Sequence, residues 1–232
     1  LADFYGAAWK PNKETAKKDG ESAPAGRLMR SVNDPQVHVG ALTHPLLMSR
    51  LAYHRTSSPI HRGVFLTRYT LGRVLRPPNA AFTPLNPDLH PGLTTRQRVE
   101  LQTGETNCQV CHQKINTLGF ALEAFDAAGR FRKKEKDQPI EASGSYIARS
   151  GERAQFDGAR QLGDFLASSE DCHRAFVEAA FEHFVKQPIA AFGPNVSDEL
   201  TRGFRESGFH IQKLIVSIAM VASTPPTPAS NT

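Results

Sequence analysis

The pentapeptide Cys108-Gln109-Val110-Cys111-His112 constrains this chain more than any other feature. Two thiols three residues apart, followed at once by a histidine, form the C-x-x-C-H pattern through which a c-type haem is attached. On a helix, residues i, i+3 and i+4 lie on one face, so both sulfurs and the imidazole point the same way. The thiols can add to the two vinyl groups of a protoporphyrin, and His112 can bind the iron as its proximal ligand. The motif therefore predicts one covalent haem c.

Two other uses of paired cysteines compete with this interpretation. A thioredoxin-like redox pair normally belongs to a βαβ setting, and no such alternation surrounds the motif. A structural zinc site usually has four Cys or His ligands. Cys172 and His173 could complete such a set with Cys108 and Cys111, although the usual second pair of closely spaced cysteines is missing. Covalent haem fits the motif better than either alternative.

The composition favours a globular domain and excludes several classes of function. The chain has 232 residues, of which 39% are hydrophobic, and its 14 phenylalanines suit the walls of a flat porphyrin. The net charge of +5 is not gathered in one long run, and no nucleic-acid-binding fold is recognisable. We expect no nucleic-acid partner, and the basic bias favours an acidic redox partner. The most apolar run, residues 214–222, is too short to span a membrane.

The beginning of the chain bears on its location. No signal peptide is recognisable there, and Leu1 is not an initiator methionine, so we expect a processed piece of a longer precursor. Haem is attached to c-type proteins outside the cytoplasm. The expected location is therefore the periplasm or another compartment outside the cytoplasm.

The chain divides into three regions by composition. Residues 1–36 are polar and rich in Lys, Gly and Pro, which predicts an extended arm or linker. Residues 37–222 carry helical periodicity and form the predicted haem-binding domain. Residues 223–232 are rich in Pro, Ser and Thr, which predicts a disordered tail.

The predicted fold is mainly α: a cytochrome c-like helical domain with a small inserted β-hairpin or irregular lobe at residues 131–156. Besides the helix that carries the motif, helices are predicted at residues 46–54, 60–75, 94–102, 120–127, 159–167, 173–186, 198–206 and 210–222. Two of their starts have local signals: Ser58-Pro59 favours a helix start, and residues 94–97 read as a capping box. The last of these is apolar nearly all round, which predicts the most buried helix. Five prolines within residues 76–92 predict an extended strap.

Further motifs surround the pentapeptide in a fixed order. They are Ser58-Pro59-Ile60-His61-Arg62-Gly63-Val64-Phe65, Leu71-Gly72, Pro77-Pro78, Thr94-Thr95-Arg96, Ile115-Asn116-Thr117-Leu118-Gly119-Phe120-Ala121-Leu122-Glu123, Phe125-Asp126-Ala127-Ala128-Gly129-Arg130 and Ala142-Ser143-Gly144. Over about residues 40–222 this set resembles the C-terminal cytochrome c-like module of large exported planctomycete proteins, which contains adjoining domains of unknown function. Typical members have a proline where Thr117 stands. The resemblance implies a haem c protein that transfers electrons outside the cytoplasm, within a larger polypeptide or complex.

The sixth iron ligand decides what such a haem can do. A Met or His ligand gives a low-spin electron carrier, whereas an open position admits peroxide or a gas. His183, at the edge of the apolar stripe of its helix, and His54, at the end of the first predicted helix, are the leading candidates. A histidine at the position of His183 is more often a satisfied core residue, and His54 could instead be a favourable cation at the end of its helix. Met48 and Met220 are expected to pack in the core.

The haem propionates require positive partners. Arg130 follows a turn at Gly129 shortly after the motif helix, and its planar guanidinium could pair with a carboxylate through two hydrogen bonds. Asp126 could hold Arg130 in place. Arg132 and Arg62 are further possible partners.

The sequence thus predicts a one-electron carrier whose potential is set by the axial ligands, the burial of the haem and the hydrogen bonds around it. The alternative is a haem peroxidase-like oxidoreductase with an open or displaceable sixth iron site. A third possibility is an assembly module in which the haem mainly stabilises the fold.

Overall fold

The computed structural model describes residues 2–5, 10–11, 31–32, 34–75 and 90–223, and the structural statements below concern these residues. Most of the predicted arm, residues 76–89 of the predicted strap and residues 224–232 of the predicted tail lie outside them. Those three predictions stay predictions.

The described part of the chain is mainly helical, with small antiparallel strand pairs, as the sequence predicts. Its elements are α1 (Ala2–Tyr5), β1 (Lys10–Pro11), β2 (Ser31–Val32), a 3-10 turn (Gly40–Thr43), α2 (Pro45–Arg50), α3 (Pro59–Phe65), a π-helical turn (Leu66–Thr70), α4 (Thr95–Gln102), α5 (Thr106–Phe120), β3 (Lys134–Glu135), β4 (Gln138–Pro139), β5 (Ser143–Ile147), β6 (Arg153–Asp157), α6 (Gly158–Ser168), α7 (Glu170–Val185), a 3-10 turn (Ile189–Phe192), α8 (Val196–Glu206) and α9 (Ile211–Ser223).

Local capping residues set two of the helix starts that the sequence indicates. The Ser58 hydroxyl accepts a hydrogen bond from the backbone N–H of His61, and Pro59 occupies the first turn of α3. Before α4, Thr94 and Gln97 form the predicted capping box, in which each side chain accepts from the other's backbone N–H. These contacts satisfy backbone donors that a helix start leaves without an intrahelical partner.

Three predicted helices differ from the structure. Residues 120–127 are not a helix, because α5 continues to Phe120 and residues 121–124 form turns. The helix predicted at 60–75 is α3 followed by the π-helical turn, and it ends at Thr70. The first helix ends at Arg50, so His54 lies in a bend beyond it.

The main hydrophobic core joins α2, the π-helical turn, α5, the β5–β6 hairpin and α6. Its buried residues are Met48, Leu66, Leu71, Leu118, Ala121, Leu122, Phe125, Tyr146, Phe156, Ala159, Leu162 and Leu166. Met48 has no exposed surface, which confirms its predicted packing role. A second cluster joins α7, α8 and α9 through Val177, Phe181, Leu200, Phe204, Leu214 and Ile218.

The last helix is less buried than the sequence predicts. Leu214 and Ile218 of α9 are buried against α7 and α8, but Ile215 and Val216 are exposed. Met220 is 65% exposed and is not a core residue. Apolar residues occur on both sides of this helix, whereas its neighbours cover one side. The prediction that this is the most buried helix was therefore wrong.

The predicted inserted lobe is present as two antiparallel strand pairs. β3 pairs with β4 around a turn at Lys136 and Asp137, both of which have positive φ. β5 pairs with β6 in the register Gly144 opposite Phe156. A Cβ on Gly144 would lie 3.0 Å from the carbonyl carbon of Thr117, so glycine allows β5 to approach α5 closely.

Candidate functional site

The C-x-x-C-H motif lies in the first half of α5, which differs in burial from the second half. From Thr106 to Lys114 no described side chain is buried, and both motif thiols and the imidazole are half-buried. From Ile115 onward most side chains are buried in the protein. Packing therefore fixes the second half of α5, and the first half carries the motif at the surface of the protein.

Glycines allow α3 to hold the second half of α5. A Cβ on Gly119 would lie 2.7 Å from the carbonyl carbon of Pro59, and a Cβ on Gly63 would lie 2.7 Å from the carbonyl carbon of Ile115. Real Cβ atoms do not approach other atoms so closely. The two helices therefore touch backbone to backbone at two points one turn apart, which fixes the direction of α5.

A chain of hydrogen bonds connects His112 to the loop before α5. The His112 Nδ1 and the Asn116 Oδ1 are 3.1 Å apart. The Asn116 Nδ2 donates to the Thr103 Oγ1 at 2.9 Å, and the Thr103 hydroxyl donates to the Val99 carbonyl at 2.7 Å. Asn116 and Thr103 are buried. This arrangement leaves the Nε2 of His112 as the imidazole atom that can bind a metal.

The surface near the motif includes apolar side chains. Val110, between the two cysteines, is 71% exposed, and Leu101 in the preceding helix is 59% exposed. Helical spacing turns Val110 away from the face that carries Cys108 and His112. Apolar side chains exposed singly are ordinary, so these two do not mark a wall for a ligand on that face.

The zinc alternative finds no support in the described residues. Cys172 lies in α7, where it packs against the main core, and burial raises the pKa of its thiol. Within the described ranges no group of three or more His, Cys, Asp or Glu side chains is placed to hold a metal ion. The Cys108/Cys111/Cys172/His173 set that the sequence allowed is therefore not assembled.

Asp126 holds Arg130 in place, as the sequence suggested. The Arg130 Nε donates to the Asp126 Oδ2 at 2.7 Å, and the Arg130 guanidinium lies 5.0 Å from the centre of the Phe4 ring. The pair lies beyond the end of α5, which rises about 18 Å between Cys108 and Phe120. No contact within the described residues joins Arg130 to the motif, so its pairing with a propionate stays a prediction.

Arg62 has a structural role that the sequence did not reveal. It has no exposed surface, and its guanidinium donates to the carbonyls of Leu122 and Phe125 at 2.7 Å each. It also pairs with Glu123 at 3.4 Å. Burial raises the pKa of Glu123, and the charge of Arg62 opposes that rise. The suggestion that Arg62 pairs with a propionate was wrong, because the side chain is enclosed and holds the turn after α5.

Arg132, the other possible propionate partner, is engaged with carboxylates. Its guanidinium lies 3.5 Å from Glu123 and 3.6 Å from Glu135. It also donates to the Ser57 hydroxyl at 3.2 Å. Arg132 thus completes the cluster around Glu123.

The two candidate sixth ligands are both exposed. His54 lies in the bend after α2, and His183 lies in the last turn of α7 against the ring of Phe184, at 5.2 Å between ring centres. Among the described residues no hydrogen bond or ring contact joins either histidine to the motif. Ligation by His183 or His54 stays a prediction.

Sequence reasoning missed Asn116 and Thr103. Asn116 stands four residues after His112, so helical spacing places it on the same face, and this signal was present in the sequence. Thr103 lies in the loop between α4 and α5, and nothing in its local sequence indicates the contact.

Comparison with known proteins gives a match to a family model over part of the chain. A family model described as PSCyt3, a protein of unknown function (DUF1588), matches residues 38–135. No curated protein and no solved structure matches the chain. In the described residues no helix combines the length and apolar character needed to cross a membrane. The matched segment contains α3, the motif helix and the Glu123 cluster, so the chain is similar to this family over the part that positions the candidate site.

Proposed function

We propose that this chain binds one covalent haem c through Cys108, Cys111 and His112 and acts as a one-electron carrier outside the cytoplasm. One observation carries the proposal: both thiols and the imidazole stand half-exposed on one half of a helix whose other half is fixed in the core. A covalent cofactor requires this combination of accessible anchors and a rigid base.

The donor atoms fit a haem. The two thiols are spaced for the two vinyl groups, and the hydrogen bond at the Nδ1 of His112 leaves its Nε2 for an iron. When bound, haem supplies a reversible change between ferric and ferrous iron. The chain's own residues would attach it through Cys108 and Cys111 and orient the imidazole of His112.

An acidic redox protein, or an acidic part of a larger parent polypeptide, is the proposed partner. Lys133, Lys134 and Lys136 are exposed on the lobe that contains β3 and β4. No ion pair within the described residues neutralises these three lysines. Such a surface accelerates association with an acidic protein, and the effect weakens with salt.

The peroxidase-like function remains the second candidate, and one observation favours it. Neither His54 nor His183 contacts the motif within the described residues. A sixth position that no side chain fills would give five-coordinate, high-spin iron and peroxide turnover. Absorption spectra in both oxidation states decide between the two: low-spin spectra in both states support the carrier.

The attachment itself is tested by producing the chain in a host that attaches haem c. Intact mass and a pyridine haemochrome spectrum should show one haem joined by two thioethers. The double variant Cys108→Ala/Cys111→Ala should carry none covalently. The control Cys172→Ala removes the remaining thiol, away from the motif, and should keep the haem. Wild-type protein without covalent haem, or a double variant that retains it, would refute the proposal.

A further inference from the structure

We infer that Asn116, held by Thr103, is a positioning residue that fixes which nitrogen of His112 carries the proton. The inference deepens the proposed haem function and rests on it for its consequence at iron. Its first consequence, the tautomer of the imidazole, is a property of the protein without haem.

The hydrogen atoms of this chain have one consistent arrangement. The Val99 carbonyl can only accept, so the Thr103 hydroxyl gives it its single proton. The Thr103 oxygen can then only accept, which turns the amide NH2 of Asn116 towards it. The carbonyl oxygen of that amide therefore faces His112, and the Nδ1 must carry the proton to donate to it.

Burial gives the arrangement its strength. Asn116 is 7% exposed and Thr103 is 6% exposed, so water does not readily replace a lost partner. A buried amide left without its partner carries a free-energy penalty. The amide is thereby held in one orientation. A neutral imidazole without such a partner carries its proton mostly on Nε2, so this contact reverses the ordinary preference at His112.

Two consequences follow for the proposed haem protein. The lone pair of His112 stands on Nε2 before any ligand arrives, so the imidazole needs no proton shift to bind an iron. Donation from Nδ1 to Asn116 also makes the imidazole a stronger electron donor, which favours ferric over ferrous iron and lowers the potential.

The first test uses the full chain without haem. Nitrogen-15 NMR of the imidazoles, with the rings neutral, should show His112 protonated on Nδ1. In Asn116→Leu the signal should change to that of the Nε2–H form. The control Gln113→Leu places the same new side chain on an exposed neighbour of His112 and should leave the tautomer unchanged. Wild-type His112 in the Nε2–H form, or an unchanged Asn116→Leu, overturns the inference.

A second variant covers the case in which Asn116→Leu does not fold. Thr103→Val keeps the shape of the side chain and removes the oxygen that orients the amide. The tautomer preference should weaken in this variant while Asn116 is still present. An unchanged preference in Thr103→Val overturns the role of Thr103.

The haem-loaded protein provides an independent measurement. Asn116→Leu should raise the midpoint potential, and each tenfold loss in the preference for ferric iron corresponds to about 59 mV for a one-electron couple. Gln113→Leu should leave the potential unchanged. If wild-type protein takes up no haem, the proposed function fails while the NMR result still decides the tautomer. If haem is attached but neither tautomer nor potential responds, the inference fails and the proposed function stands.

Discussion

Replacing Gly119 by alanine tests the helix contact that holds the motif. A Cβ at this position would lie 2.7 Å from the carbonyl carbon of Pro59, whereas carbon atoms pack at about 3.5–4.0 Å. The obstructing atoms belong to the backbone of α3, so no side-chain rotation relieves the overlap. The two helices would have to separate by about 1 Å, at the turn next to the Gly63 contact.

The expected cost follows from two opposing effects. Alanine favours a helix over glycine by up to about 1 kcal/mol. Overpacking in a well-packed interior costs about 1–3 kcal/mol, and backbone contact places this site at the upper end. The free energy of unfolding should therefore fall by about 2 kcal/mol. For a chain of this size that lowers Tm by roughly 4–8 °C.

The matched control is Gly203→Ala. Gly203 lies in α8, and a Cβ there would meet no atom within 4 Å. This substitution should raise the free energy of unfolding by up to about 1 kcal/mol, because only the helix preference changes. Thermal and urea unfolding followed by circular dichroism measure both variants. If Gly119→Ala proves as stable as the wild type, the backbone contact between α3 and α5 is wrong.

Three further predictions concern buried groups. Arg62→Met should lower the free energy of unfolding, measured by urea titration, by about 3–5 kcal/mol, because Glu123 stays buried without the charge of Arg62. The control Arg130→Met, which breaks a half-exposed pair, should cost under about 1 kcal/mol. Burial raises the pKa of Tyr146 from 10.0 to about 12, so the unfolded chain releases this proton first and the free energy of unfolding should fall between about pH 10 and 12. The fall should be smaller in Tyr146→Phe. Equal slopes of the free energy of unfolding against pH in the two proteins would contradict the burial of the hydroxyl. In protein without haem, iodoacetamide should modify Cys172 more slowly than the motif thiols, because the raised pKa of Cys172 keeps its thiol protonated. Peptide mass spectrometry measures the three rates of modification. Equal rates would contradict the protection of Cys172.

Features that depend on local sequence were predicted well. The capping box at Thr94, the proline start of α3 and the helical character of the chain follow from residues close to one another. The inserted lobe was also predicted, because polar residues, glycine and β-branched residues replace the helical period there. Each of these features can be predicted without knowing which distant segment packs against it.

Features that depend on distant partners were not predicted. Periodicity showed that α9 is apolar on more than one side, but not that its neighbours cover only one side. Arg62 lies 60 residues before Leu122, whose carbonyl it binds, and its charge suggested a surface role. The sequence shows the charge of a residue directly, whereas burial and the available partners depend on how distant segments pack.

The candidate site combines both kinds of information. The spacing of Cys108, Cys111 and His112 is local, so the anchors could be identified before any fold was known. The orientation of the imidazole depends on Thr103, which reaches Asn116 only because α4 and α5 meet at that loop. The identity of the sixth ligand also requires a contact from outside the motif helix. The local pattern therefore predicts what is attached, while the packing around the helix determines how the iron would behave.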